Sequence, residues 1–249
     1  MTVVSRLFIK GLIVAGIAAV SAGSVAAQSV DVVLLTPTNP RGGAPVNGTV
    51  RLAEPAATSL TVVVRSDNPV ADPDTGFSAQ QDGRATLIFN AGEQQKTFIV
   101  RTFGVAANTT VTITAAVSSR NGKPVRSPGV NQNLILRPPA IASVTLTKDP
   151  IRPTSTASGQ ILFQGRSPKA GSPGAPLTIA ATSSNPSRAN VQNSPISVPS
   201  NSDGVGSFTY TSAIANSNTN VTFTFTLRSG TTVIDTFTTV LTVSPTAAP

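Results

Sequence analysis

Cysteine and histidine are both absent from this 249-residue chain. Without a thiol, the chain has no cysteine nucleophile, no cysteine-bound zinc and no iron–sulfur centre. Without an imidazole, it lacks the commonest general base and the conventional Ser-His-Asp triad. The disulfides that many small secreted domains use to offset a thin core are excluded as well. Apolar burial must therefore hold any folded domain of this chain together.

Aromatic and charged side chains are also scarce. The chain has no tryptophan and one tyrosine, only 11% of its residues are charged, and its formal net charge is +8. Nucleic-acid-binding domains concentrate Lys and Arg beside stacking aromatics, so we expect no nucleic-acid partner. The acidic residues are scattered singly apart from Asp72 and Asp74, so the sequence predicts no catalytic residues, no cofactor and no enzymatic activity.

The first 27 residues have the three parts of a secretory signal peptide. Arg6 and Lys10 precede the apolar segment 11–22, and the small residues 23–27 follow it. The pattern predicts cleavage before Gln28.

A single transmembrane anchor is the alternative for this segment. A spanning helix needs roughly 20 strongly apolar residues, whereas the apolar stretch from Gly11 to Ala27 is shorter and rich in Gly, Ala and Ser. We therefore expect residues 1–27 to be removed and the mature chain to contain no membrane span. The protein is then secreted or on the cell surface, with the periplasm as the alternative.

The remaining sequence repeats itself. Ser59–Pro69 returns as Pro176–Pro186, and Asn108–Thr114 returns as Asn218–Thr224. A duplication of whole domains with small loop insertions explains these offsets. It predicts a first domain over residues 28–139 and a second over residues 140–249.

Both repeats have the periodicity of β-strands. In Thr109–Val117, Val, Ile and Ala alternate with Thr, and Asn220–Leu227 repeats the alternation. Alternation with a period of two places one face on a core and the other in water. Because helical periodicity is absent after residue 27, we predict about seven short strands in each repeat, forming two-sheet sandwiches.

The predicted strands of the first repeat are Val30–Thr36, Gly48–Ala53, Leu60–Ser66, Ala85–Asn90, Thr97–Phe103, Thr109–Val117 and Asn133–Arg137. Those of the second are Ser143–Lys148, Gly159–Gln164, Leu177–Ser183, Ile196–Pro199, Gly206–Ser212, Asn220–Leu227 and Asp235–Val243. The alternation predicts these core positions: Phe98, Val111, Ile113, Phe208, Phe223 and Phe225.

A short proline-containing linker, Arg137–Ala140, joins the two repeats. Consecutive prolines favour an extended, semi-rigid connection. Two sandwiches placed end to end with such a joint would form a rod.

The first repeat carries a series of strand and turn markers. They are the Gly42-Gly43 turn, the strand Gly48–Leu52, the corner Ser66–Pro69 and the final strand Asn108–Ala116. This series resembles the immunoglobulin-like repeats of bacterial secreted and cell-surface proteins. The resemblance implies two tandem immunoglobulin-like antiparallel β-sandwiches and use at a surface or outside the cell, without supplying a site.

The second repeat follows the same series less closely. It keeps Ser183–Pro186 and Asn218–Thr226, but Thr154–Thr156 occupies the place of the Gly-Gly turn. The Cys…Trp…Cys core of antibody domains is missing, which places the chain outside the vertebrate-like branch.

Two groups of residues are candidates for binding. Asp72 and Asp74, on a predicted loop that ends at Gly76, could offer carboxylates to calcium. A solvated turn is the alternative, and because the second repeat has no equivalent pair, we predict no metal site.

The other group consists of Arg51, Arg65 and Arg101, which occupy polar positions of three strands. On neighbouring strands they would form a cationic face suited to anionic glycans or polymers. Solubility and protection of strand edges are the alternative roles.

The recurring corners Ser66/Asn68 and Ser183/Asn185 suggest a structural role. Ser and Asn side chains bond nearby backbone at strand ends, so we expect them to fix the corners and not to act in catalysis.

Two functions are consistent with these observations. The first is a secreted or cell-surface rod, structural or adhesive, that presents its faces to an extracellular polymer, a neighbouring cell or a copy of itself. The alternative is an accessory subunit that binds an extracellular polymer or polysaccharide. The scarcity of aromatic residues at predicted outward positions favours the first.

Overall fold

The computed structural model describes residues 28–75 and 83–245. The predicted signal peptide, residues 1–27, and Gly76 of the predicted calcium loop lie outside these ranges. Within them the chain is all-β, and no helix long and apolar enough to cross a membrane occurs in this part of the chain.

The strands of the first repeat are β1 (Val30–Thr36), β2 (Val46–Leu52), β3 (Leu60–Ser66), β4 (Ala71–Asp74), β5 (Arg84–Phe89), β6 (Gln95–Thr102), β7 (Thr109–Arg120), β8 (Lys123–Pro124) and β9 (Val130–Leu136). Those of the second are β10 (Ala140–Leu146), β11 (Thr156–Gln164), β12 (Leu177–Ser183), β13 (Ala189–Val191), β14 (Ile196–Ser197), β15 (Gly204–Ser212), β16 (Thr219–Ser229) and β17 (Thr232–Val243).

The first nine strands form two antiparallel sheets. One has the order β1-β2-β6-β4, and the other has the order β5-β3-β7, with β8 and β9 both paired to the far edge of β7. Four strands facing three, with the first, second, sixth and fourth in one sheet, is the arrangement of immunoglobulin sandwiches with an added edge strand.

The last eight strands repeat this order. Their sheets run β10-β11-β15-β13 and β14-β12-β16-β17, so each strand of the first set except the two-residue β8 has a counterpart. We call the two sets the first unit and the second unit. The boundary at residues 139 and 140 stays a prediction, and it falls between the last strand of one set and the first strand of the next.

Each unit surrounds its own hydrophobic cluster, and these clusters confirm the predicted strand phase. The first cluster draws on residues from Val30 to Leu136, and nearly all of the second lies between Ile141 and Val243. All six predicted core side chains are buried: Phe98, Val111, Ile113, Phe208, Phe223 and Phe225.

The sequence prediction is wrong in one region that bears on function. Asp72 and Asp74 lie in β4, which pairs with β6, and not on a loop. A proline between two aspartates is typical of a turn, but an edge strand tolerates proline because one side of its backbone lacks a partner strand. The short strands β8 and β13 were also missed.

Candidate functional site

The two units meet at a joint formed by loops at facing ends. Gly42, in the β1–β2 loop, lies at its centre. The Gly42 amide donates to the carbonyl of Arg137 in the linker (2.9 Å), and the Gly42 carbonyl accepts from the amide of Arg166 in the second unit (2.8 Å). The turn predicted from Gly42-Gly43 is therefore a three-way connection between the first unit, the linker and the second unit.

At Gly104 the backbones of the two units approach each other closely. Gly104 follows β6 and forms a parallel bridge with Pro168. A Cβ atom at Gly104 would overlap the backbone carbonyls of Arg166 and Ser167. Any side chain at this position would therefore force the units apart, because backbone atoms cannot be displaced as easily as the end of a flexible side chain.

An inserted loop of the second unit supplies most of its contacts with the first. The offset between equivalent residues is 111 from Gly48 to Gly159 and 117 from Leu60 to Leu177, so the β11–β12 connection is six residues longer than its counterpart. This longer loop contains Lys169, whose Nζ lies 3.7 Å from the ring centroid of Phe103.

The same loop extends the second hydrophobic cluster across the joint. Ala106, in the β6–β7 loop of the first unit, is buried within the cluster of the second unit. A Cβ atom at Gly174 of the inserted loop would overlap the Ala106 side chain. The joint therefore contains apolar packing in addition to the backbone hydrogen bonds.

A hydroxyl group at the end of β6 fixes the loop that carries Gly42. Thr102 is buried, its Oγ1 donates to the carbonyl of Ala44 (2.6 Å), and it accepts from the amide of Gly43 (2.9 Å). The first unit therefore holds this loop in place through its own strand β6.

Three cavities lined by residues that the structure describes surround the joint. The largest, of about 680 Å³, lies between the β6–β7 loop and the inserted loop, with Val70, Ala106 and Lys169 among its lining residues. A second, of about 430 Å³, extends from Lys169 to the corner at Asn68. A notch of about 220 Å³ is lined by Arg101 and Arg166.

Basic side chains gather around this joint. Arg41 donates from Nη1 to the carbonyl of Pro138 (2.6 Å), Arg101 binds the carboxylate of Asp74 (2.7 Å), and Arg166 and Lys169 come from the second unit. The joint therefore combines shallow grooves with several basic side chains, while Asp67 and Asp72 line the groove at Lys169.

In the structure, each candidate aspartate interacts with a neighbouring residue of the first unit. Asp74 is buried against Arg101, and buried Asp72 accepts a hydrogen bond from the amide of Gly83 (3.0 Å). In residues 28–75 and 83–245, no three or more carboxylate, imidazole or thiol side chains lie close enough to hold a metal ion.

The three candidate arginines do not form one face. Arg51 pairs with Asp31 (2.6 Å) and lies opposite Gln95 at one end of the β2–β6 ladder, while Arg101 lies beyond its other end. Arg65 belongs to the other sheet. Its register partner is Arg84, so a cationic pair exists there that the sequence reasoning missed. A ligand role for these arginines stays a prediction.

The serine corners confirm the expected backbone bonding. Ser66 Oγ donates to the carbonyl of Asn68 (2.8 Å) and accepts from its amide (3.2 Å). Ser183 Oγ accepts from the Asn185 amide (3.2 Å) and donates to the carbonyl of Ala189 (2.6 Å). Both side chains fix the chain where it leaves the third strand of its unit.

Sequence reasoning missed the joint residues Phe103, Arg166 and Lys169. Two signals could have found them. The Gly42-Gly43 pair occurs in one repeat only, and the change of offset from 111 to 117 marks an insertion in the other. A turn and an insertion that each occur in only one copy are candidates for contact between the copies.

No protein-family model matches this chain, and no curated protein matches it. Among solved structures, the chain is similar to the Escherichia coli adhesin FdeC, with 13% identity, a TM-score of 0.32, and coverage of 87% of this chain and 64% of that one. This chain therefore spans less than two thirds of the FdeC chain.

Two other solved structures show a comparable likeness. One is the type II cohesin dyad of the ScaA scaffoldin from Acetivibrio cellulolyticus (9% identity, TM-score 0.30, 87% and 98% coverage). The other is the ectodomain of mouse nectin-like molecule 4 (13% identity, TM-score 0.27, 88% and 65% coverage). Likenesses at these scores do not bear on function, and the fold rests on the strand order given above.

Proposed function

We propose that this protein is an exported, non-catalytic structural or adhesive module. Its two immunoglobulin-like units act as one rod. The rod holds its faces and its C-terminal end at a fixed distance from its N-terminal end. The observation that carries the proposal is the joint at Gly42, where the linker and both units share consecutive backbone hydrogen bonds. A tether between independent binding domains would not need such contacts.

The packing at Gly104 supports a fixed angle between the units. A parallel backbone bridge at this residue leaves no room for a side chain, and Ala106 adds apolar burial. An interface that depends on backbone contact permits few alternative arrangements, because most rotations would break the Gly42 and Gly104 contacts together.

The experiment exchanges two equivalent residues. Ile214 occupies the position of Gly104 in the second unit and is exposed. Gly104→Ile should separate the units, increase the radius of gyration in solution scattering and resolve unfolding into two transitions. The matched control Ile214→Gly changes the far end of the second unit and should leave the radius of gyration unchanged.

Equal scattering curves for the wild type and Gly104→Ile would contradict the proposal, provided that the variant is folded by circular dichroism. So would a wild-type protein whose scattering already requires freely moving units.

An accessory binding subunit for an anionic extracellular polymer is the second candidate. The favouring observation is the notch lined by Arg101 and Arg166 beside the larger groove at Lys169. Arg166→Glu should then weaken binding to alginate or heparin, measured by affinity electrophoresis. Arg152→Glu, an equal change of charge on an exposed residue away from the joint, is the control. Equal retardation of the two variants would exclude a specific site at the notch.

A further inference from the structure

The final strand, β17, is an edge strand of unusual length in this molecule. It covers 12 residues, Thr232–Val243, and pairs on one side with β16. Its register is regular from Asp235 to Val243. Asp235 is its single charged residue, and it contains no proline, lysine or arginine.

The other strand edges in the described ranges are protected by the usual devices. β13 and β14 have three and two residues, and β4 contains Pro73. β5 begins with Arg84, and β1 and β10 each carry a bulge. Natural sheets use short edges, proline, charge and bulges to prevent pairing with other chains. β17 lacks these devices over its regular part.

The direction of the backbone groups along β17 follows from its neighbours. The Thr242 carbonyl accepts from the amide of Ile151 (2.9 Å), and the Thr242 amide donates to Asp149 Oδ1 (2.9 Å). Both partners lie on the outer side of the sheet. Because every second residue of a strand directs its backbone groups to the same side, Thr236, Thr238 and Val240 also direct theirs outward.

These three residues form a row of donors and acceptors without backbone partners on the outer side, and β10 lies close to β17. The segment that pairs with Thr242 ends the row on one side, and Asp235, which accepts from the Ile141 amide (2.7 Å), lies at the other. Thr236, Thr238 and Val240 are exposed, and Val240 retains 48% of its accessible surface. In the described part of the chain, no backbone hydrogen bond reaches the outer side of these three residues.

The first unit does not offer the same edge. β9 has seven residues, and its last outward groups are occupied where the Ile135 amide donates to the carbonyl of Thr38 (2.9 Å) and the Arg137 amide donates to that of Pro40 (2.9 Å). Pro128 and Gly129 precede the strand. Asn131 and Asn133 also direct their backbone groups outward without a backbone partner, so the first unit has a row of two residues where β17 has three.

We propose that two copies of this chain pair antiparallel through β17, about a two-fold axis at Thr238. The row is symmetric about this residue, so Thr238 faces its own copy and Thr236 faces Val240, and every free donor and acceptor of the row is used. The β14-β12-β16-β17 sheets of the two copies then join into one continuous sheet. This interaction is strand addition with an identical partner.

The charges of the strand favour this partner. In the symmetric register Asp235 faces Leu241, so the Asp235 carboxylates of the two copies do not face each other. Neither strand contributes a lysine or arginine. Facing threonines are a favourable cross-strand pair. The dimer requires nothing of the joint between the units, so joint variants and β17 variants test separate claims.

The test is sedimentation equilibrium of the full-length protein at increasing concentration. The wild type should show a monomer–dimer equilibrium. Thr238→Lys and Thr238→Glu place like charges across the axis, so each alone should weaken dimerisation by at least about tenfold. An equimolar mixture of the two should restore dimers, which also demonstrates that both variants are folded.

Asn133→Lys is the matched control, because Asn133 occupies the outward side of β9 in the first unit. It should leave the equilibrium unchanged. Three outcomes would overturn the proposal: a wild type that stays monomeric up to about 0.5 mM, a dimer that Thr238→Lys does not weaken, or an equal loss of dimer in Asn133→Lys. In the first case the edge would be free for a strand of a different chain.

Discussion

At equivalent core positions the two units use different kinds of side chain on the same framework. Three positions are aliphatic in the first unit and aromatic in the second, where Val100, Ile113 and Ala115 correspond to Tyr210, Phe223 and Phe225. The aromatic rings contact edge to face, with centroids 6.1 Å apart for Tyr210 and Phe223. The buried Tyr210 hydroxyl donates to the Lys148 carbonyl (2.8 Å). The strand order therefore does not depend on which apolar side chains fill the core.

The ends of the units differ in a second way. In both units, a hydroxyl group at the end of the sixth strand holds the loop between the first two strands. Thr102 does so in the first unit, and Ser212, which donates to the carbonyl of Arg152 (2.5 Å), does so in the second. Two residues further on, however, the first unit has Gly104 and the second has Ile214. The residue at this position therefore differs between the end of the first unit that contacts the second unit and the equivalent end of the second unit.

The largest effect should come from the aromatic core. Phe223→Ala should destabilise the protein by about 3–5 kcal/mol, because a buried ring is removed and a cavity remains. Ile113→Ala, at the equivalent position of the first unit, removes a smaller side chain and should cost about 2–5 kcal/mol. The measurement is urea unfolding. A loss under about 1 kcal/mol for Phe223→Ala would mean that the strand phase is inverted.

An intermediate effect should come from the glycine–phenylalanine pair that both cores share. Gly48 lies opposite Phe98, and Gly159 lies opposite Phe208. A Cβ atom at either glycine would overlap the facing ring. Gly48→Ala and Gly159→Ala should each cost about 1–3 kcal/mol, measured by thermal unfolding. Gly206→Ala, at an exposed strand position with open space around it and no positive φ, controls for the added methyl group. Unchanged stability in both core variants would contradict this packing.

A smaller effect should come from the serine corners. Ser66→Ala and Ser183→Ala each remove a part-buried side-chain hydrogen bond of 2.8 or 2.6 Å. Each should cost about 0.5–1.5 kcal/mol, and the two losses should add in the double variant because the corners lie in different units. Chemical denaturation would measure both. A clear departure from additivity would mean that the units do not bury their cores separately.

The smallest effect should come from a partly exposed ion pair of the first unit. Lys96 bonds Glu93 (2.8 Å), and this bond together with the Asn90 amide holds the pKa of Glu93 below its ordinary value of 4.5. Because the folded-state pKa is lowered, this contribution to stability is present above pH 4.5 and is lost as the pH falls through the lowered value. Lys96→Ala should raise the pKa of Glu93, as followed by NMR titration, without a measurable change in unfolding. A pKa that does not move would exclude Lys96 as the cause.

The alternation of apolar and polar residues predicted the strands well, because a strand with one face on the core places apolar side chains at every second position. Val111 and Ile113 are buried between exposed or half-buried threonines, and this pattern is visible in the residues themselves. β4 was not predictable in this way, because its four residues contain Pro73 and acquire their strand geometry from pairing with β6. Short edge strands depend on their neighbours more than on their own sequence.

The joint was only partly predictable. The Gly42-Gly43 turn and the proline linker are local features, so both could be recognised in the sequence. The contact of Gly104 with Pro168 depends on how two folded units meet, and no local pattern encodes it. The candidate arginines failed to form one face for the same reason, because register and sheet membership, not spacing along the chain, decide which side chains become neighbours.

Solution scattering of the monomeric protein tests the central claim most directly. A compact globule of about 220 residues has a radius of gyration near 17 Å. We expect a clearly larger value, an elongated pair-distance distribution, and a single rigid arrangement of the units that fits the curve. A value near 17 Å would place the units side by side and contradict the rod, and a curve that requires many arrangements would contradict the fixed joint.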